Sequence, residues 1–377
     1  MIEFSETASN VLASQGFQLF ARIESWFGDV LVADDVPIID ATETQDATLR
    51  VPERLTFKVP ALKDGVSWVP TSFDSALGCY GQRVRVSLGV GLIGGSDRIE
   101  WVNRGWFLIY SAGPDGDSIT VEALGLLTLV DEAVLPTEYQ PAAGASLVSM
   151  IRDLIEPGIT VNVEDAPADR AVPTTVTFSD NRLDNVYAAL DAWPAVALVT
   201  SNGYLAVQPQ PGDPVADDAV LELTDGVGGT VVDSSTSITR DGAFNAVVAK
   251  GQYPDSDATR AGQEIIQTAY DTVTGSPYRN GGEFSPYLVP YGYASPLLST
   301  VQQVQAAART RLKTLRRNAS RTVQVAAVPH PGIQLGDVVV LTCERLGIDA
   351  ELGTVGAFSL PYLANGGPMQ LTIRLDA

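Results

Sequence analysis

Few residues in this chain have the types and spacing that chemistry needs. His330 is the only histidine, and an imidazole-based zinc site needs more than one. It stands in Pro329-His330-Pro331-Gly332, a turn sequence, and no G-x-S-x-G elbow accompanies it to suggest a Ser-His-Asp arrangement. Gly89-Val90-Gly91-Leu92-Ile93-Gly94 spells G-x-G-x-x-G after a strand-like stretch. A dinucleotide site also needs a helix to open at once, because the pyrophosphate sits on that helix N-terminus. Here Gly95-Ser96-Asp97-Arg98-Ile99-Glu100-Trp101-Val102 alternates like a strand, so the expectation is a loop between two strands. Cys79 and Cys343 are far apart and in no metal-like spacing. Among the 45 carboxylates no glycosidase-like pair stands out. Asn318-Ala319-Ser320 is a formal glycosylation sequon, but Met1-Ile2-Glu3-Phe4-Ser5-Glu6 has no secretory character to give it meaning. No catalytic, cofactor-binding or metal-ligating residue is expected, and no cofactor.

The remaining candidates are contact residues. Formal net charge is −21, which disfavours binding to a phosphate backbone. Yet Arg309, Arg311, Lys313, Arg316, Arg317 and Arg321 fall within thirteen positions. Such a run reads as the solvated face of a helix, as a docking patch for an acidic neighbour, or as a patch meeting the acidic surface of another copy. From Pro254 to Pro296 the chain is rich in Pro, Gly and Tyr, including Tyr270, Tyr278, Tyr287, Tyr291 and Tyr293. A long irregular stretch of this kind is either a contact surface or a loop packed on its own barrel. Candidate interface residues are therefore Tyr278, Tyr287, Tyr291, Tyr293, Arg309, Arg316 and Arg317. Pro331, Gly332, Gly336 and Asp337 are expected to shape turns.

The elements that must position these residues are mostly strands. Strands are expected at 17–24, 49–51, 54–59, 83–88, 98–102, 105–110 and 118–124, with Pro114-Asp115-Gly116-Asp117 as a hairpin turn. That series predicts a closed or nearly closed β-barrel. The period then changes. A helix is expected after Ser146, with Leu147, Met150, Ile151, Leu154 and Ile155 on one face, and another after Ser179 or Asp180. A hairpin with an Asn202-Gly203 turn follows. The last third returns to strands at 246–251, 321–328, 337–343, 352–360 and 371–375, with one helix from Ser299 to about Arg317. The reading is mainly β with α+β. It has a barrel domain at 1–132, a small inserted α/β domain at 133–222, and a second β domain at 223–377 that carries the Tyr-rich loop and the helix. No apolar run is long enough to span a bilayer, and synthesis in the cytoplasm is expected.

Several segments, in order, resemble one family. Asn245-Ala246-Val247-Val248-Ala249-Lys250-Gly251 looks like the strand that opens the second tube-like domain of tail hub proteins. Ser276-Pro277-Tyr278-Arg279-Asn280-Gly281-Gly282, Ala294-Ser295-Pro296-Leu297-Leu298 and the helix after them are similar to actinobacterial siphophage minor tail proteins. So are Ala21-Arg22-Ile23-Glu24-Ser25-Trp26 and Gly105-Trp106-Phe107-Leu108-Ile109. Pro329-His330-Pro331-Gly332-Ile333-Gln334-Leu335-Gly336-Asp337-Val338-Val339 resembles the Pro-x-x-x-x-Gly-Asp-x-Val pattern of the baseplate hub family, and 366–375 fits it too. The resemblance implies two tube-type β-barrel domains per subunit and a trimer whose six-part ring adapts a six-fold tail tube to a three-fold tip. It also implies a channel that DNA only passes through, and a place at the tail tip of a virion made in a host bacterium. Implied partners are a distal tail protein, a tape measure protein, and receptor-binding or fibre proteins. Rival readings are the six-fold distal tail protein itself, a tail-associated glycan hydrolase, and an adhesin.

Overall fold

The computed structural model describes residues 1–12, 17–92, 98–319 and 321–375. A short helix α1 (Glu6–Leu12) precedes β1 (Leu19–Phe27), β2 (Val30–Ala33), β3 (Asp40–Asp46), β4 (Glu53–Pro60), β5 (Leu62–Lys63), β6 (Val66–Ser67), β7 (Gln82–Gly91), β8 (Ile99–Asp115) and β9 (Ser118–Gly125). Alternation decides most of these strands: Leu55, Phe57 and Val59 of β4, Val84, Val86 and Leu88 of β7, and Ile119, Val121 and Ala123 of β9 all point into the core. Two strands expected at 98–102 and 105–110 are one 17-residue strand, β8. Gly105, at φ +138°, keeps it continuous where a side chain would break it. The expected hairpin turn joins β8 to β9, with Gly116 at φ +64°. Residues 49–51 form a turn and not a strand. Gly89 and Gly91 lie in β7; Ile93, Gly94 and the rest of that loop lie outside the described residues.

The middle section contains α2 (Thr128–Asp131), α3 (Leu147–Ile155), β10 (Val161–Asn162), α4 (Arg182–Ala192), β11 (Ala195–Val199) and β12 (Leu205–Pro209). Ser146 caps α3 in a reciprocal box with Ser149. The cap of α4 is Asn181, one residue past the expected pair. The last third has β13 (Ala219–Thr224), β14 (Val231–Ser237), β15 (Ala246–Gln252), β16 (Glu264–Tyr270), β17 (Pro290–Ala294), α5 (Val301–Asn318), β18 (Thr322–Ala327), β19 (Val338–Cys343), β20 (Ile348–Pro361) and β21 (Met369–Leu375). Thr300, not Ser299, caps α5. The stretch 254–296 is less irregular than expected: β16 and β17 lie within it and pair on either side of β15.

Two sets of strands repeat one order. The first runs β3-β4-β9-β8-β7-β1-β2 and the second β14-β18-β21-β20-β19-β13. In each, two consecutive strands sit at opposite ends of the set, β2 with β3 and β13 with β14. Their connectors, 34–39 and 225–230, hold six residues each. Seven flat strands would separate β2 from β3 by about 29 Å, while such a connector reaches about 24 Å at most. The first set must therefore roll toward a barrel. In the second, side chains at the end of β19 reach β14: Cys343 Sγ lies 3.0 Å from Ser234 Oγ, and Arg345 Nη2 donates to Asp233 Oδ1 (2.7 Å). Neither gap is closed by strand pairing among the described residues. The first set does not close on itself, because its end strand β3 pairs with β20 and joins both sets into one 13-stranded sheet.

Both sets fill one apolar core, from Ile23, Phe57 and Phe107 to Val323, Leu341 and Leu371. A second core gathers α3, α4, β11 and β12 with β15, β16 and α5. Residues 246–318, assigned in the expected division to the last domain, thus bury their apolar side chains with the middle section. They are an excursion inside the hairpin-like pair β14–β18, which corresponds to the tight β3–β4 pair of the first set.

Candidate functional site

The seam between the two sets holds a buried ion pair. Residues 357–361 of β20 pair antiparallel with 42–46 of β3, and Tyr362 N–H extends the ladder to Ala41 O at 2.9 Å. Glu43 of β3, Arg104 of β8 and Tyr362 meet beneath it, each almost wholly buried. Arg104 grips Glu43 with two bonds, Nη2 to Oε1 (2.8 Å) and Nε to Oε2 (2.9 Å), and Tyr362 Oη donates to Oε2 (2.6 Å). The third guanidinium nitrogen donates to Pro331 O (3.0 Å) and Ile333 O (2.7 Å), and Phe358 lies 5.7 Å from the guanidinium. Burial alone would lower the Arg104 pKa, but Glu43 reverses this and raises it; burial beside Glu43 carries Tyr362 well above the ordinary phenol. Every charge here is paired and hydrogen-bonded, as a buried ion pair must be. The triad holds the seam together and leaves no group free for proton transfer.

The turn residues serve this seam. Pro331 supplies an acceptor carbonyl to Arg104. A Cβ on Gly332 would come within 2.7 Å of Ile2 O, so only glycine lets the first residues pack there. Gly336 takes φ +81°. Asp337 accepts from Gln334 N–H (2.8 Å) and from the Met1 amino group, and its pKa is raised by burial against those partners. His330 packs edge-on to Phe4. Burial, with Arg104 and the amino terminus nearby, pushes it down to about 4, so it is neutral.

The structure does not gather the candidate interface residues into one surface. Of the four tyrosines only Tyr287 stands clear, 78% exposed. Tyr278 donates to Ala319 O at the end of α5 and packs on Phe284. Tyr291 and Tyr293 flank Arg311, whose Nη2 donates to Tyr291 Oη (3.2 Å); burial raises Tyr293 to about 12. The basic run is largely used inside the chain. Arg311 pairs with Asp191 (3.2 Å), Lys313 with Asp213 (2.9 Å) and Arg316 with the fully buried Asp271 (3.2 Å). Arg317 donates to Gly212 O (2.8 Å), and Arg321 to Leu346 O (2.9 Å). Arg309 is exposed. Most of the run therefore clamps α5 to its own chain, a use that charge spacing alone does not distinguish from docking.

Sequence reasoning passed over Glu43, Arg104, Tyr362 and Glu53. Glu43 sits in β3, whose sequence is almost wholly polar, and Arg104 falls between the strands expected at 98–102 and 105–110, so no local pattern marked either as core-facing. Glu53 opens β4, with carboxylate oxygen Oε2 shut from solvent and without a hydrogen-bond partner. Burial raises it from 4.5 to about 7, its own backbone N–H opposes this, and Glu43 adds to it. Cys79 is exposed, Cys343 is buried, and the two are not joined.

No protein-family profile and no curated protein matches this sequence. Solved structures do. A tail protein from Neisseria meningitidis MC58 superposes with a TM-score of 0.62 at 12% identity, over 95% of this chain and 96% of the other. The fold is that of phage tail proteins. The 43 kDa tail protein of prophage MuSo2 from Shewanella oneidensis matches with a TM-score of 0.57 at 12% identity, covering 93% and 97%. Prophage tail protein gp18 from Listeria monocytogenes EGD-e gives 0.57 at 11%, covering 94% of each. At these identities the likeness is one of fold.

Proposed function

We propose that this chain is a structural component of a phage-tail-type assembly, the hub at its tip. Three copies build a ring that adapts a six-fold tube to a three-fold tip. The observation that carries this reading is the repeated strand order: each chain holds two sets of strands in one order, which we read as two tube units, so that three chains supply six. The likeness to tail proteins over 95% of the chain supports it, because that fold takes up nearly all of the residues present. The division follows the cores. Two tube-type units, 1–125 and the strands of 219–375, make the ring wall, and the body around α3, α4 and α5 stands beside it. The mechanism is geometric: the hub nucleates the tube, carries the receptor-binding or fibre proteins, contacts the distal tail and tape measure proteins, and leaves a channel for DNA. A net charge of −21 suits a wall along which DNA slides without being held.

The test is the mass of the purified chain by light scattering across a concentration series. Three chain masses, with a central hole in negative-stain images, is the expected result. Six would instead identify a six-fold distal tail protein, and a monomer at every concentration would contradict the ring.

A further inference from the structure

The intrachain seam has a counterpart with its partner missing. β20 outlasts its neighbour β19: their pairing stops at Thr354, a bulge follows at Gly356, and residues 357–361 pair with β3 on the vacated side. β8 repeats this pattern. Its pairing with β7 stops at Leu108, a bulge follows at Tyr110, and, among the described residues, 111–115 pair with β9 alone. Tyr110 is 52% exposed, and 111 and 113–115 are exposed too. The strand that corresponds to β3 in the second set is β14, and among the described residues β14 pairs only with β18. Each chain thus has one completed seam, β3 on β20, and the two unpaired halves of another, β14 and the end of β8.

We propose that β14 of one copy pairs antiparallel with residues 111–115 of β8 in the next copy, repeating the intrachain seam across the subunit boundary. The occupant of each free edge is therefore a second copy of this chain. Free strand edges invite such pairing, and two different edges on one chain make a head-to-tail contact that closes only as a ring. This inference rests on the ring reading above and names the surface that builds it.

The repeat also gives the register. Gly356 corresponds to Tyr110 through the two bulges, and Thr44 to Ser237 through the pairings of β3 with β4 and of β14 with β18. Ser359 faces Thr44 in the intrachain seam, so Gly113 faces Ser237 of the next copy. Ala112 then faces Ile238, whose 78% exposure in the single chain is removed. Pro114 has no N–H, which shortens this ladder by one bond relative to the intrachain seam; proline is tolerated at such an edge.

Cysteine pairing tests the register. Opposed residues of an antiparallel pair stand about 4.5–5.5 Å apart, within disulfide reach. A Cβ at Gly113 meets nothing within 4 Å, so Gly113→Cys fits the fold. In a Cys79→Ser background, Gly113→Cys with Ser237→Cys is expected to give covalent multimers on oxidation that end at the ring size. Gly113→Cys with Val232→Cys, exposed and out of register, is expected to give none. As an independent check, Ile238→Asp, at an exposed position, is expected to keep the circular dichroism of the parent and to lower the mass in solution to one chain. A ring that forms without the Gly113–Ser237 cross-link, or that survives Ile238→Asp, overturns the seam and leaves the hub reading standing. A chain that stays monomeric and never cross-links overturns both.

Discussion

At the scale of residues, the buried Arg104–Glu43 pair joins the two halves of the chain. Removing one partner of a buried pair strands the other, at a cost of about 3–5 kcal/mol. Arg104→Met is expected to cost that much in urea unfolding, and Glu43→Met with Arg104→Met less than the sum of the two single changes. Additive losses would show that the pair is not coupled. Glu53 gives a pH signature. Its folded pKa of about 7 lies above 4.5, so the native state holds the extra proton between these values and stability falls as pH rises through them. Glu53→Gln is expected to be more stable than the parent at pH 8, by up to about 3 kcal/mol, and close to it at pH 4.5. His330 runs the other way. Its folded value of about 4 lies below 6.5, so its contribution is present above 6.5 and is lost as pH falls toward 4. Equal urea midpoints for the Glu53→Gln variant and the parent at pH 8 would show that the carboxyl is not held in its neutral form.

At the scale of elements, α5 is a clamp. Its apolar face packs on β15 and β16, and its basic face reaches Asp191, Asp213 and Asp271. Arg316→Ala leaves the fully buried Asp271 without its cation and is expected to cost about 2–3 kcal/mol. Arg309→Ala, at an exposed position, is expected to change stability by less than about 0.5 kcal/mol. Thermal unfolding of both variants separates them, and equal losses would contradict the clamp. α3 was legible in the sequence because Leu147, Met150, Ile151, Leu154 and Ile155 repeat at helical spacing behind Ser146, whereas the short α1 and α2 were not expected. β3 was not, because Asp-Ala-Thr-Glu-Thr-Gln-Asp has almost no apolar alternation and is a strand only through its pairing with β4 and β20. β16 and β17 were hidden by the Pro, Gly and Tyr around them, and each is held by pairing with β15. The partners of Arg311, Lys313 and Arg316 lie 45 to 120 residues away in sequence, beyond what any local pattern shows.

At the scale of the whole molecule, the mainly β reading and the tail-protein likeness agree, while the repeat of strand order was not visible in the sequence. The β14–β18 pair carries an excursion of three strands and a helix where β3–β4 has a short turn. That insertion breaks any fixed spacing between corresponding strands. The proposed ring follows from the repeat: two alike units per chain, one seam complete, one open. Electron cryomicroscopy of the purified particle tests this most directly. The expected result is a three-fold ring with six barrel densities around a central hole, joined alternately by the β3–β20 seam within a chain and by β14 on β8 between chains. A particle with any other number of barrels, or with β14 and residues 111–115 of β8 both facing solvent, would contradict it.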